Sequence, residues 1–377
     1  MKNTEVAQTK STNVSSFLTN VLNALDVAKV KYCVERNYEE YPAHVTGDVD
    51  ILVAQNDLSE AVVVTCEAAR RSNWLPFIIY ETNQAAHLGF YASNYPERYV
   101  LVIEYFAGGT WRGFNFLKPE RVIVDRERHG ITWKPNSSHE LIITLVHHLL
   151  YNGTVFAKYR DSIVRLYEQD KAKFLVEIAS VFGNKVGNRI NTLVENQEWD
   201  LLEKESHNLR VSLVVRSLLF SFNTTIIAFW GLLSGIRSKP NGILVKVLDD
   251  SNSLMFFLES IISVADNWHI FIPPKRQILN VNKNNFRLSR KSATKILRSG
   301  GVVIMRFRSR SDDQKISFIE RGSIQPFEIF EEGSNIKLHY QERSYRIVED
   351  SPEKMAIVFW DIALNILSNK NENSNCR

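Results

Sequence analysis

Apolar residues recur at helical spacing over 14–28, where Phe17, Val21, Leu22 and Leu25 share a face, and the period then shortens over 31–34. That order predicts a helix followed by a short strand. Residues 48–54 alternate carboxylates with Val49, Ile51 and Val53, the period of a second strand, and 58–71 read as a helix rich in Ala and Val. Further strands are expected at 74–80, 87–91 and 99–106. The first third is therefore expected to form a mixed α/β sheet of about five strands with a helix on one face, ending near 117–125.

The pattern changes at Ser138. Leu141, Leu145, His148 and Leu149, then Tyr159, Ile163 and Leu166, then Phe174, Ile178 and Phe182 form helical stripes, which predicts a subdomain of three or four helices reaching about residue 206. The apolar stretch 213–236 is interrupted by Arg216, Ser217, Ser221, Asn223, Thr224 and Thr225. Its unbroken run, 226–236, falls short of the roughly 20 apolar residues of a spanning helix, so a surface-lying or inter-domain helix is expected.

The turn-forming run Arg237-Ser-Lys-Pro-Asn-Gly242 opens a second α/β unit. It is expected to carry a strand at 243–248, a helix at 253–265, a strand at 269–272, a helix at 289–298, a strand at 302–306, β-like segments to about 347 and a closing helix at 352–367. The expected organisation is a flexible 1–16, an α/β domain at 17–135, a helical subdomain at 136–236, a second α/β domain at 243–367 and a tail at 368–377 that is disordered by composition. The polar start lacks the apolar core of a signal peptide.

Composition narrows little. A hydrophobic share of 44% and a charged share of 23% are those of an ordinary globular protein. A net charge of +4, with Lys and Arg spread along the chain, permits an anionic ligand but does not argue for nucleic acid. Cys33, Cys66 and Cys376 are far apart and lack metal-ligand spacing, so neither a disulfide framework nor a zinc site is suggested and a cytoplasmic setting fits. A peripheral membrane contact through 213–236 stays open, and the oligomeric state is not legible.

The chemistry lies in Gly47-Asp-Val-Asp50. Two acids two residues apart on a strand share a face, the arrangement by which carboxylates hold Mg²⁺ together with substrate phosphates. Glu104 is an acid inside an otherwise apolar strand, where an unpaired charge is costly, so a metal or a cationic partner is expected beside it. The bland readings stand alongside: an Asp-X-Asp pair arises by chance, and an outward-facing acid on an edge strand also explains Glu104. Lys158 and Arg160 could reach a triphosphate or could line a solvated helix face. His147 and His148 are adjacent and cannot both point at one metal from one helix, so one is read as core and the other as surface.

The run Tyr32-Cys-Val-Glu-Arg-Asn-Tyr-Glu-Glu-Tyr-Pro42, the Gly47-Asp-Val-Asp-Ile-Leu-Val53 strand, Val102-Ile-Glu-Tyr-Phe106, Trp111-Arg-Gly113 and Lys158-Tyr-Arg160 together resemble a family of bacterial nucleotidyltransferase-like proteins. Genes of that family commonly lie among those for surface-polysaccharide synthesis. The resemblance covers about 15–180 and implies the polymerase-β-like nucleotidyltransferase fold. It also implies Asp48, Asp50 and Glu104 as ligands of Mg²⁺ or Mn²⁺, with an NTP as substrate. Around the phosphates it places Arg36, Asn37 and Gly47, with Lys158 and Arg160 reaching in from the helical subdomain. Arg36-Asn37 stands where the wider superfamily has Gly-Ser, and Glu104 stands where Asp is usual.

Many relatives continue into a thymidylate-kinase-like P-loop domain. Here Lys239-Pro-Asn-Gly and the strand after it match that plan. Residues 249–257 carry no glycine, Met255 replaces the phosphate-binding Lys, and Asp249 and Asp250 add negative charge. The second domain is therefore expected to be a degenerate, kinase-like α/β unit. The leading expectation is a metal-dependent nucleotidyltransferase acting on a sugar, glycan or other small-molecule acceptor. The alternative is a catalytically inactive nucleotide-binding or scaffold protein of polysaccharide assembly.

Overall fold

The computed structural model describes residues 2–45, 47–82, 84–92, 99–111, 114–220, 243–248, 253–267, 276–281, 293, 296–297, 302–307, 326–332, 335–341, 343–349 and 351–374. The chain opens with α1 (Lys2–Val27), which starts well upstream of the first periodic apolar residue, so the segment expected to be a flexible lead-in has helical backbone. Then come β1 (Tyr32–Val34), β2 (Val49–Val53), α2 (Leu58–Arg71), β3 (Trp74–Glu81), β4 (Ala85–Ala92) and β5 (Tyr99–Phe106). These five strands form a sheet in the order β1-β2-β5-β4-β3. Every residue of β2 is buried, as expected of a strand flanked on both edges. In α2, Leu58, Ala61, Val62, Thr65, Cys66, Ala68 and Ala69 make one buried stripe, and Arg70 and Arg71 sit in the last turn, where the helix dipole favours cations.

Two small hairpins, β6 (Gly109–Trp111) with β7 (Phe114–Leu117) and β8 (Glu127–His129) with β9 (Thr132–Lys134), flank α3 (Pro119–Val124). The helical block follows: α4 (Ser137–His147), a π-helical turn at His148–Asn152, α5 (Ala157–Gln169), α6 (Lys171–Phe182), α7 (Asn184–Glu195), α8 (Trp199–Lys204) and α9 (Ser206–Phe220). That is more helices than the three or four expected, because short turns subdivide the periodic stretches. Two helix starts are fixed by side chains: Asn136 accepts from the His139 amide, and Asp170 accepts from the Lys173 amide. The core joining these helices to the sheet runs from Cys33 and Leu52 through Leu141, Leu145 and Leu149 to Ile163, Phe174, Ile190 and Leu209.

A second sheet has the order β11-β12-β10-β13-β14-β15, with β10 at Ile243–Leu248, β11 at Arg276–Val281, β12 at Val302–Phe307, β13 at Phe327–Glu332, β14 at Asn335–Tyr340 and β15 at Arg343–Ile347. The first four strands are parallel, β14 is antiparallel to β13, and β15 is antiparallel to β14. Two helices, α10 (Ser253–Asn267) and α11 (Pro352–Ser374), pack against it around Phe257, Ile261, Phe359 and Trp360. β11 was not expected, whereas the strand expected at 269–272 and the loop residues 249–252 lie outside the described residues. Parallel strands with crossover helices are shared by many α/β folds. Met255, on α10, accepts a hydrogen bond at its sulfur from Arg306 at 2.7 Å.

The chain divides into two compact units, one made of Met1–Ser72, Glu81–Leu88 and Ile103–Ser238, the other of Asn73–Tyr80, Gly89–Val102 and Lys239–Arg377. The helical block thus belongs with the first α/β segment, and two N-terminal segments are grouped with the C-terminal residues because Phe77 and Tyr91 are buried in the core of the second sheet. Among the described residues no helix is long and apolar enough to cross a membrane; 221–242, with most of the apolar stretch, lies outside them.

Candidate active site

The site is assembled by strand register. β2 and β5 run parallel with Asp50 opposite Glu104, which brings two acids side by side at the spacing of adjacent strands, about 4.8 Å. β1 pairs antiparallel with β2, and just past its end the amide of Glu35 donates to the carbonyl of Asp50 at 2.9 Å. Glu35, Asp50 and Glu104 are each only 8% exposed. Arg36 supplies a balancing charge: its Nε and its Nη2 each approach Asp50 Oδ2 at 2.8 Å. His87, on β4, places Nδ1 2.9 Å from Glu104 Oε1.

Among the described residues Arg36 pairs with Asp50 and His87 with Glu104, and Glu35 lies within reach of their charges. Burial, then the nearby Asp50 and Glu104 charges, push Glu35 up to about 8 against the pull of Arg36. Burial also raises Asp50; Arg36 opposes the shift and Glu104 adds to it. Like charges in low dielectric cannot all ionise without more positive charge nearby. Among the described residues no three His, Cys, Asp or Glu side chains converge as a ready metal cluster. In kind, however, the donors are carboxylate oxygens, which suit a hard divalent cation.

The sequence-predicted residues divide. Asp50 and Glu104 come together, and Arg36 joins them. Asp48 is half-buried and lies just before β2 rather than in it. Asn37 and Gly47 shape the backbone: both have positive φ, 58° and 102°, which Asn and Gly tolerate best, and the space where a Gly47 Cβ would point is open. Lys158 is exposed, its ammonium 4.8 Å from the centre of the Tyr159 ring.

Arg160 does something else. It donates to the Val155 carbonyl and to Glu203 Oε1, each at 3.3 Å, and lies over Trp199. These contacts tie α5 to α8. The sequence reading missed Glu35 and His87. The signals were there, an acid at the end of the buried Tyr32-Cys-Val run and a lone His in the apolar β4, but each gains meaning only when its neighbouring strand is known.

The end of α4 lies within reach of the Arg36 charge. Burial and then the charge of Arg36 push both His147 and His148 down to about 4. His147 stacks on Tyr151 at 4.6 Å, and the Tyr151 hydroxyl donates to the Thr110 carbonyl at 2.6 Å. His148 packs on Tyr159 at 4.5 Å and on Phe156 at 5.2 Å. The π-helical turn beneath is held by Arg210, which donates to the Leu150 carbonyl at 2.9 Å; such turns recur at functional sites.

No protein-family model matches the sequence, and no curated protein matches it. Two solved structures from Helicobacter pylori are similar. One is JHP933, at 10% identity and a TM-score of 0.30, covering 59% of this chain and 98% of that one. The other is a protein provisionally described as a nucleotidyltransferase, at 11% identity and a TM-score of 0.27, covering 55% of this chain and 94% of that one. Likeness at this level carries no functional argument, and the case rests on the site.

Proposed function

We propose that the chain is a metal-dependent nucleotidyltransferase that moves a nucleoside monophosphate from an NTP to a hydroxyl or phosphate of a sugar, glycan or other small molecule. The observation that carries it is the register that sets Asp50 opposite Glu104 with buried Glu35 close by, three acids gathered at one end of the sheet. Asp50 and Glu104, with Asp48, would hold Mg²⁺ or Mn²⁺, which when bound supplies charge neutralisation and Lewis acidity at the phosphates.

This chain's residues do the rest. Arg36 offsets the acids and keeps Asp50 oriented. With a hydroxyl acceptor, its oxygen attacks the α-phosphorus, the bond from that phosphorus to the bridging oxygen breaks, and pyrophosphate leaves. The acceptor's proton passes to the His87–Glu104 pair, whose 2.9 Å contact orients the imidazole. A role in surface-polysaccharide assembly rests on the sequence resemblance.

One observation favours a second reading, a nucleotide-binding protein without turnover: Arg36 already occupies one oxygen of Asp50 with two nitrogens. Titration with each NTP in the presence of Mg²⁺, with pyrophosphate release followed in parallel, separates the two. The enzyme reading expects saturable binding that the paired change Asp48→Asn and Asp50→Asn abolishes, together with acceptor-dependent pyrophosphate. Binding without release supports the second reading, and binding indifferent to the paired change sinks the enzyme reading.

A further inference from the structure

α9 is apolar on two sides. Leu209 and Leu213 are buried in the core of the helical block, with Val214 packed against it. Val211, Val215, Leu218 and Leu219, spaced to share the opposite face, are 48%, 46%, 48% and 72% exposed. A helix that packs one face on its own core ordinarily turns polar and charged residues outward. A single exposed aliphatic needs no explanation, but four on one stripe of a 15-residue helix make a contiguous patch, the mark of an interaction surface.

Charge narrows what that surface meets. Between Glu205 and Asp249 the sequence holds no acid, yet Arg210, Arg216, Arg237 and Lys239 fall within it. Arg210 donates to the Leu150 carbonyl and Arg216 to the Ser180 carbonyl, neutral partners that cancel no charge. Basic residues beside an apolar face complement an anionic bilayer, which attracts each cation near it and repels each acid. The sequence directly after α9 stays apolar and includes Phe222, Phe229 and Trp230, residue types that favour the headgroup boundary. At 15 residues α9 is shorter than the roughly 20 that a span needs, so the geometry is that of a helix lying along a surface. We propose that the Val211, Val215, Leu218 and Leu219 face of α9 docks on an anionic phospholipid surface, its aliphatic side chains entering the headgroup boundary. The proposal concerns where the chain sits and is independent of the chemistry at Asp50.

Flotation of the full chain with vesicles of phosphatidylcholine, alone or with about one third phosphatidylserine, tests it. The chain is expected to float with the anionic vesicles and far less with the neutral ones. The paired change Val215→Glu and Leu219→Glu is expected to weaken that partition about tenfold or more, since it removes buried apolar area and adds like charge. Both side chains are exposed, so the core is left intact, and Val63→Glu, at a valine 57% exposed on α2, is expected to change nothing. A second readout keeps the apolar face nearly whole: a fluorophore on Leu218→Cys, with Cys376→Ser and with Cys33 and Cys66 buried, is expected to be quenched by lipids spin-labelled high on the acyl chain. Absence of flotation, flotation indifferent to the paired change, or an unquenched fluorophore overturns the inference. Self-association that the paired change abolishes, without flotation, assigns the face to a second copy of the chain and overturns it too.

Discussion

Arg36 gives two nitrogens to one oxygen of Asp50 while Glu35 and Glu104 sit close by, so deleting either partner of that pair has unequal consequences. Arg36→Ala strands three buried acids and is expected to cost about 3 kcal/mol, the range for removing one member of a buried ion pair. Asp50→Asn removes an acid from the crowd and lets Glu35 ionise against Arg36, so it is expected to cost less than about 1 kcal/mol or to stabilise. Urea unfolding of the two variants checks the order; a costlier Asp50→Asn would show that the acids are not in excess.

His139 makes a pH prediction. It is 1% exposed, and burial, then Lys173, hold it down to about 4. Its ordinary value is near 6.5, so as pH falls from 6.5 towards 4 the unfolded chain takes up a proton that the folded chain refuses. Stability is expected to drop across that window and not above it. His139→Leu is expected to remove some of the drop, which unfolding midpoints at pH 7 and pH 5 would reveal. Residues of this kind mark the limit of what the sequence shows. Asp50 and Glu104 were legible because an acid in an apolar strand is locally anomalous. The Arg160 contacts with Val155, Glu203 and Trp199 were not legible, because spacing does not show which helix a side chain reaches.

At the scale of elements, α6 and α7 are bound by contact between backbones. A Cβ at Gly187 would lie 2.7 Å from Ala179 Cα and 2.9 Å from its nitrogen, and neither atom can move without its helix. Gly187→Ala gains about 1 kcal/mol in helix propensity but must push the helices apart at a cost of roughly 1–3 kcal/mol. A lower unfolding midpoint is expected, and a raised one would show that the helices yield. Element type was largely readable from periodicity, because burial of one face is what selects helix or strand. The count of helices was not, since the π-helical turn after His147 and the break at Gly183 (φ 86°) leave the apolar stripe uninterrupted. The pairing of β2 with β5, on which the site depends, joins segments some fifty residues apart and has no local trace; Asp50 meets Glu104 only through it.

For the whole molecule, the linker at 237–242 looks like a place to cut, yet the second unit draws residues from both sides of it. Phe77 and Tyr91 are buried with Val245, Phe257, Phe359 and Trp360, and the Tyr91 hydroxyl donates to Asp361. A fragment ending at Ser238 is expected to expose those aromatic residues, bind a hydrophobic dye and aggregate, whereas the full chain does not. A monomeric, dye-silent fragment would contradict this grouping. The same partition sets a schedule for synthesis. Tyr91 and its partner Asp361 are separated by 270 residues, so at about 5–20 residues per second the ribosome delivers the partner on the order of tens of seconds after the tyrosine emerges. Through that interval the strands carrying Phe77 and Tyr91 wait for their core, which makes the newborn chain a natural client for a holding chaperone.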